Sequence, residues 1–270
     1  MPNKKHLHAS FLNSEFLLGR DGRAVRILAE FLEPEHRFER LKVDDTLVFF
    51  GSARILPRRV AAANLVKVRK KSGPRSKAVG EAERDLRMSR YYEECKALSK
   101  RMAEWSRKKG YGYAICSGGG PGIMEAANKG AQAGRAPSAG LNILLPFEQQ
   151  PNSYIDPQLA FEFRYFFMRK FWFVYMAKAI IMFPGGFGTI DEMMEVLTLM
   201  QTGRVTKKMA VVLYGREFWS RVLNFDHLVE TGMIHAGDLH FFHICDTVDE
   251  AFDFLTRQLP LNRKKRHPLV

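Results

Sequence analysis

Pro184-Gly185-Gly186-Phe187-Gly188-Thr189-Ile190-Asp191-Glu192 gathers glycines, a hydroxyl and two carboxylates into one short stretch. It follows the apolar run Ala179-Ile180-Ile181-Met182-Phe183 and precedes the helical pattern of Met193 to Met200. A buried strand thus runs into a glycine turn and then a helix. Backbone N–H groups at such a helix mouth attract anions, and glycine lets a phosphate come close. Ser117-Gly118-Gly119-Gly120-Pro121-Gly122, behind Tyr113-Ala114-Ile115-Cys116, is a second turn of this kind. One such turn is a weak signal. Two of them point to a phosphorylated small molecule held at the edge of a parallel sheet. Pro121 breaks the dinucleotide-binding pattern, and no Gly-Lys-Ser/Thr follows, so neither turn is a P-loop.

The charged residues beside these turns admit two readings each. On a helix Asp191 and Glu192 diverge by roughly 100° and do not face one ligand together, whereas Glu192 and Glu195 are expected on one face. These acids either meet a ligand or complement the positive helix N-terminus, an effect of roughly 0.3–1 kcal/mol. Arg169 and Lys170 interrupt the apolar stretch Tyr165 to Phe173. A charge there finds a partner, reaches a cleft or snorkels at a helix end. Arg164 has the same choices.

The elements that must position these groups follow from apolar periodicity. Strands are expected at 46–50, 112–116, 138–145 (closed by Pro146), 161–163, 179–183, 209–213 and 241–245. Helices are expected at 22–41, 58–71, 77–109, 123–133, 166–178, 189–202, 216–231 and 248–258. Pro34 should break or kink the first helix, and Gly110 should end the long one. This alternation predicts an α/β fold, a Rossmann-like doubly wound, mainly parallel sheet with helices on both faces. Residues 1–43 read as a loosely ordered arm and a helix, 44–260 as a single Rossmann-like domain and 261–270 as a basic tail.

Of 270 residues, 46% are hydrophobic, enough for a full core. No apolar run approaches a bilayer span, and Met1 to His6 lacks the apolar core of a secretory signal. Cys95, Cys116 and Cys245 are odd in number, widely spaced and form no metal motif, which fits a reducing compartment and a cytoplasmic location. The net charge of +13 is concentrated between Arg54 and Lys109, where 18 Lys/Arg face 6 Asp/Glu. That segment either attracts anions and polyanions or is a set of solvated helix faces. No aromatic interleaving accompanies it, so nucleic acid is a permitted partner rather than the favoured one.

Gly118 to Gly122 followed by Ile123-Met124-Glu125-Ala126-Ala127-Asn128, then Met168-Arg169-Lys170, then Pro184 to Glu192, resemble the LONELY GUY family in order and spacing. The family was long labelled "possible lysine decarboxylase". Its signature, Pro-Gly-Gly-x-Gly-Thr-x-x-Glu, is matched at every fixed position. Phe50-Gly51-Ser52-Ala53-Arg54 resembles its first strand and turn, and the resemblance covers residues 44–257. The N-terminal arm and an insertion at 55–85 go beyond compact plant-type members and look more like bacterial relatives, where the substrate can differ.

The resemblance implies a phosphoribohydrolase. Such enzymes cleave the N-glycosidic bond of a nucleoside 5′-monophosphate, such as AMP or a cytokinin nucleotide, into free base and ribose 5-phosphate without a cofactor or metal. It implies Arg169 and Glu192 as the catalytic pair. The 5′-phosphate falls to Gly185, Gly186, Gly188 and Thr189, helped by Ser117, Gly118, Gly119 and Gly120. Further substrate contacts come from Ser52, Met124, Met168 and Lys170. A homodimer or larger assembly is implied as well. The helices at 166–178 and 193–200 are either its interface or core fillers.

The old label does not fit pyridoxal phosphate chemistry, which needs a Schiff-base lysine and an acid at the ring nitrogen. Lys170 is the only lysine near the motifs, and nothing pairs it with a cofactor site. The alternative reading is a non-catalytic nucleotide-binding or carrier protein on the same fold. The Arg169/Glu192 pair favours the enzyme. Adenine, prenylated adenine, guanine and pyrimidines all stay open as the base.

Overall fold

The computed structural model describes residues 9–145 and 150–259. Pro146 and the basic tail lie outside the described residues. In chain order the elements are α1 (Ser14–Leu18), α2 (Arg23–Arg40), β1 (Thr46–Phe50), α3 (Arg58–Lys71), α4 (Lys77–Lys109), β2 (Ala114–Ser117), α5 (Ile123–Gly134), β3 (Ser138–Ile143), β4 (Ala160–Phe163), α6 (Phe166–Met176), β5 (Ala177–Met182), α7 (Phe187–Gln201), β6 (Ala210–Tyr214), α8 (Arg216–Val222), α9 (Phe225–Glu230), β7 (His243–Cys245) and α10 (Val248–Gln258).

Short apolar runs become strands buried on both faces when helices cover both sides. The strands form one sheet in the order β4-β3-β2-β1-β5-β6-β7, and every pairing is parallel. Because side chains alternate along a strand, β1 sends Leu47 and Phe49 to one face and Val48 and Phe50 to the other. The first face is covered by α4, α5 and α10 through Leu98, Met102, Ala127 and Leu255. The second is covered by α2, α6, α7 and α8 through Phe38, Trp172, Phe173, Met193 and Trp219. This is the doubly wound α/β arrangement. The strand order reverses at β1, with β2 on one side and β5 on the other, so the crevice at the carboxyl ends of these strands is where such folds place a ligand.

Four local expectations change. Pro34 neither breaks nor ends α2, which runs through it. An interior proline leaves the carbonyl four residues back without its donor, at a cost of about 3 kcal/mol or more. Here the indole N–H of Trp172 in α6 donates to that carbonyl, Glu30 O, at 2.9 Å. Residues 1–8 of the expected arm lie outside the described residues; its remainder is helical from Ser10 to Leu12 and in α1, and Arg26 ties it to α2 by donating to the carbonyls of Leu17 and Gly19. The expected helix 216–231 divides into α8 and α9, because the Asn224 side chain accepts the His227 N–H and caps a new start. Finally, α6 passes straight into β5 at Ala177. Among the described residues, no helix is long and apolar enough to cross a membrane.

Candidate active site

Three turns meet at the carboxyl ends of β1, β2 and β5, and backbone hydrogen bonds lock them together. The Ser52 N–H donates to Pro184 O at 3.0 Å, and the Ile123 N–H donates to Ser52 O at 3.1 Å. The turn after β1 is therefore bonded to both glycine-rich turns. Gly51 has no room for a side chain, since a Cβ there would lie 2.7 Å from the Ile123 side chain.

The turn after β5 divides its glycines into two kinds. A Cβ on Gly185 would collide with the buried Thr189 hydroxyl, whereas Gly186 and Gly188 have nothing within 4 Å of that position. The first serves packing; the other two leave open ground. The helix α7 begins at Phe187, with Gly186 at its N-cap and no acid in its first turn. The N–H groups of Thr189 and Ile190 both close on Gly186 O at 3.0 Å, while among the described residues no acceptor takes those of Phe187 and Gly188. Two backbone donors at a helix mouth, beside glycines without side chains, suit an anion.

The turn after β2 is braced from within. Gly119 and Gly122 have φ of +76° and +70°, a left-handed conformation that glycine adopts without strain. Ser117 is buried; its hydroxyl donates to Asn128 Oδ1 at 2.6 Å and accepts the Gly119 N–H at 3.0 Å. The Asn128 amide donates in turn to Ser138 Oγ at 2.9 Å. The Asn152 amide donates to the carbonyls of Gly119 and Gly120 at 3.0 and 3.1 Å. Ser117 thus holds the shape of the turn, together with Asn128 and Asn152, for which the sequence reading had no role. An asparagine buried one helical turn past a glycine run was the available signal for Asn128. Nothing local marks Asn152.

Arg169 on α6 and Glu192 on α7 lie 3.7 Å apart, with side chains only 15% and 4% exposed. The guanidinium also lies over the rings of Phe166 and Phe173, at 5.3 and 5.6 Å. Its Nε is buried and has no hydrogen-bond partner. Burial pushes the Glu192 carboxyl from 4.5 up to about 7, against the pull of Lys170 and Arg169. Burial likewise lowers the Arg169 pKa. A Cβ on Gly118 would lie 2.8 Å from Met124 Sδ and 4.0 Å from Arg169 Nη1. Gly118, Met124, Arg169 and Glu192 are therefore brought to one place.

Other expected residues make further contacts around these turns. Lys170 Nζ bridges Asp191 at 2.8 Å and Glu195 at 2.9 Å. Glu195 pairs with Lys170 while still lying close enough to Glu192 to raise its pKa. Met168 is buried in the core beside Trp172. Ser52 is half-buried, and its Oγ accepts the Arg54 N–H. Because α7 starts at Phe187, Glu192 lies in its second turn, beyond the reach of the helix-terminus effect.

Residues 124–255 match the family described as "Possible lysine decarboxylase". The chain is 28% identical over 161 residues to a protein of Oryza sativa subsp. japonica named probable cytokinin riboside 5′-monophosphate phosphoribohydrolase LOG4, covering 59% of this chain and 66% of that one. It is 32% identical over 91 residues to the Arabidopsis thaliana protein named probable cytokinin riboside 5′-monophosphate phosphoribohydrolase LOG6, covering 33% and 45%. The match therefore spans just under two thirds of the first relative's length and less than half of the second's. Among solved structures, the molybdenum cofactor binding protein of Rippkaea orientalis is 16% identical with a TM-score of 0.45, over 62% of this chain and 86% of that one. The matched segment carries Arg169, Lys170 and the whole Pro184 to Glu192 signature, and over it the chain is similar to the group described as possible lysine decarboxylases.

Proposed function

We propose that this protein hydrolyses the N-glycosidic bond of a purine nucleoside 5′-monophosphate such as AMP, giving free base and ribose 5-phosphate. The observation that carries the reading is the Glu192 carboxyl. It is buried, titrates at about 7, and lies 3.7 Å from a guanidinium whose Nε–H is unspent. The 5′-phosphate sits on the open ground of Gly186 and Gly188, taking the N–H groups of Phe187 and Gly188. Thr189 and Gly185 shape that turn, and the turn from Ser117 to Gly120 closes the other side.

Cleavage passes through a cation-like sugar, which an adjacent carboxylate stabilises. A water oxygen forms its bond to C1′ as the C1′–N bond breaks, and the electron pair stays on the base nitrogen. The water's proton passes to the Glu192 carboxylate and then through solvent to the departing base. A carboxyl poised near neutrality suits such transfer, since catalytic efficiency peaks when the group's pKa lies near the working pH. Arg169 keeps its charge. It orients Glu192. No cofactor enters this scheme. A carrier reading gives no use to a desolvated acid beside a half-satisfied arginine.

Phe166, Phe167 and Phe187, 52%, 54% and 93% exposed, belong to the same elements and are unfavourable in water. A second copy of the chain covering them is part of the proposal, and light scattering reads it as a dimer or larger species. The test of function is a panel of nucleoside monophosphates, nucleosides and free bases followed by chromatography. Release of base from monophosphates far above the matching nucleosides is the expected result. No release from any monophosphate would overturn it.

A further inference from the structure

The basic segment Arg54 to Lys109 supplies none of the residues of the Arg169/Glu192 site. It forms the α3–α4 hairpin, closed by Leu65, Val79 and Ala82 and by the Arg69–Glu83 pair at 2.7 Å. Between this hairpin and α8 lies a cleft of about 820 Å³, within the size range of small-molecule sites. Arg58, Arg69, Arg87, Arg90 and Arg221 line it, over an apolar floor that includes Leu86, Met88 and Phe218.

Two carboxylates also line the cleft, and both are taken. Glu83 pairs with Arg69, and Glu217 pairs with Arg221 at 3.2 Å. Arg58 and Arg87 enter no ion pair among the described residues, and Arg90 feels Glu94 and Glu217 without closing an ion pair with either. Arg90 instead donates to the Tyr91 hydroxyl at 2.7 Å and lies over that ring. The ring fixes the place of the cleft in the fold. Tyr91 packs edge-on against Tyr214 at the end of β6, and a Cβ on Gly215, whose φ is +98°, would lie 3.0 Å from it. The cleft therefore opens at the carboxyl end of β6, one strand over from the glycine turn that follows β5.

Like charges converging on one cavity repel unless an anion joins them, and the planar guanidinium fork matches phosphate oxygens in pairs. The floor adds apolar surface for a flat organic body. We infer that the cleft between the α3–α4 hairpin and α8 is a second binding site, separate from Arg169/Glu192, for a small organic polyphosphate. Two or more phosphoryl groups meet Arg58, Arg87 and Arg90, and the apolar body rests on Leu86, Met88 and Phe218.

The test is calorimetric titration of the full-length chain with ATP and with inorganic tripolyphosphate as probes. The Arg58→Glu/Arg87→Glu variant should bind ATP at least tenfold more weakly at this site, and Gly186→Ala should leave that binding unchanged. Tripolyphosphate should bind more weakly than ATP, because it lacks a body for the floor. Arg58→Gln/Arg87→Gln, checked by thermal melting, gives the same reading if the charge reversal unfolds the hairpin. ATP affinity indifferent to both arginine variants would overturn the proposal. So would equal affinity for tripolyphosphate. Arginine-dependent binding of a 30-nucleotide single strand with none of ATP would instead make this face a nucleic-acid surface.

Discussion

Arg169 and Lys170 are neighbours on α6, and both meet carboxylates of α7, yet their pairs differ in every property that matters for chemistry. Lys170 holds two acids at hydrogen-bonding distance, one of them, Asp191, 60% exposed. Its charge is compensated. Arg169 holds one acid at 3.7 Å, keeps an unpartnered Nε and shares with Glu192 a nearly dry environment. Desolvation disfavours the ionised carboxyl more than the neighbouring cations favour it, which places Glu192 about 7. Residue type and position on the helix are almost the same for the two pairs. Burial makes one a clamp and the other a reactive pair.

Substitutions that remove the buried pair should have the largest effect. Arg169→Ala and Glu192→Ala should each lower turnover of AMP by about 10²–10⁴-fold, the range for loss of a positioned acid–base group. Arg169→Ala should also push the Glu192 carboxyl further up, because the guanidinium is one of the cations that hold it down. If both variants turned over normally, the distinction between the two pairs would vanish. The open glycine gives the next effect. Gly186 has φ −92° and free space for a methyl group, so Gly186→Ala should fold normally. It should weaken AMP binding about tenfold, roughly 1.4 kcal/mol, while leaving any slow cleavage of adenosine unaltered. Equal losses with both substrates would show that the phosphate does not lie there.

A pH profile sharpens the comparison further. With Glu192 ionised as the working form, kcat/KM should rise about tenfold per pH unit below about 7 and level off above it. Stability should run the other way. The folded pKa lies above the ordinary 4.5, so ionisation costs nothing below that value and its full penalty is reached above about 7. Melting temperatures of wild type and Glu192→Gln should therefore diverge across that window, the wild type losing ground as pH rises. The smallest effect belongs to the clamp. Lys170→Ala removes the foremost cation that pulls the Glu192 carboxyl down, so the rise of kcat/KM should move to higher pH while its plateau stays within about threefold of wild type.

The layering and most elements were legible because they depend on local signals. Apolar runs gave the strands, and Gly110 at φ +69° ends α4 where expected. Asn224 was a readable cap inside a stretch taken as one helix. Pro34 was not readable locally, since its compensation comes from Trp172, far along the chain. At the site, the Arg169/Glu192 pair was accessible through the motifs. The pairing of Lys170 with Asp191 and Glu195 was not, because it depends on how α6 packs against α7. The bracing of the β2 turn by Asn152 depends likewise on a remote loop. The cleft lined by Arg58 and Arg87 showed in the sequence only as surplus charge.

The decisive measurement is adenine set free from AMP by Glu192→Gln, alongside equilibrium binding of AMP to the same protein. Binding within a few-fold of wild type with almost no adenine formed is the predicted result. Adenine formed at the wild-type rate would contradict the assignment of hydrolysis to this carboxyl.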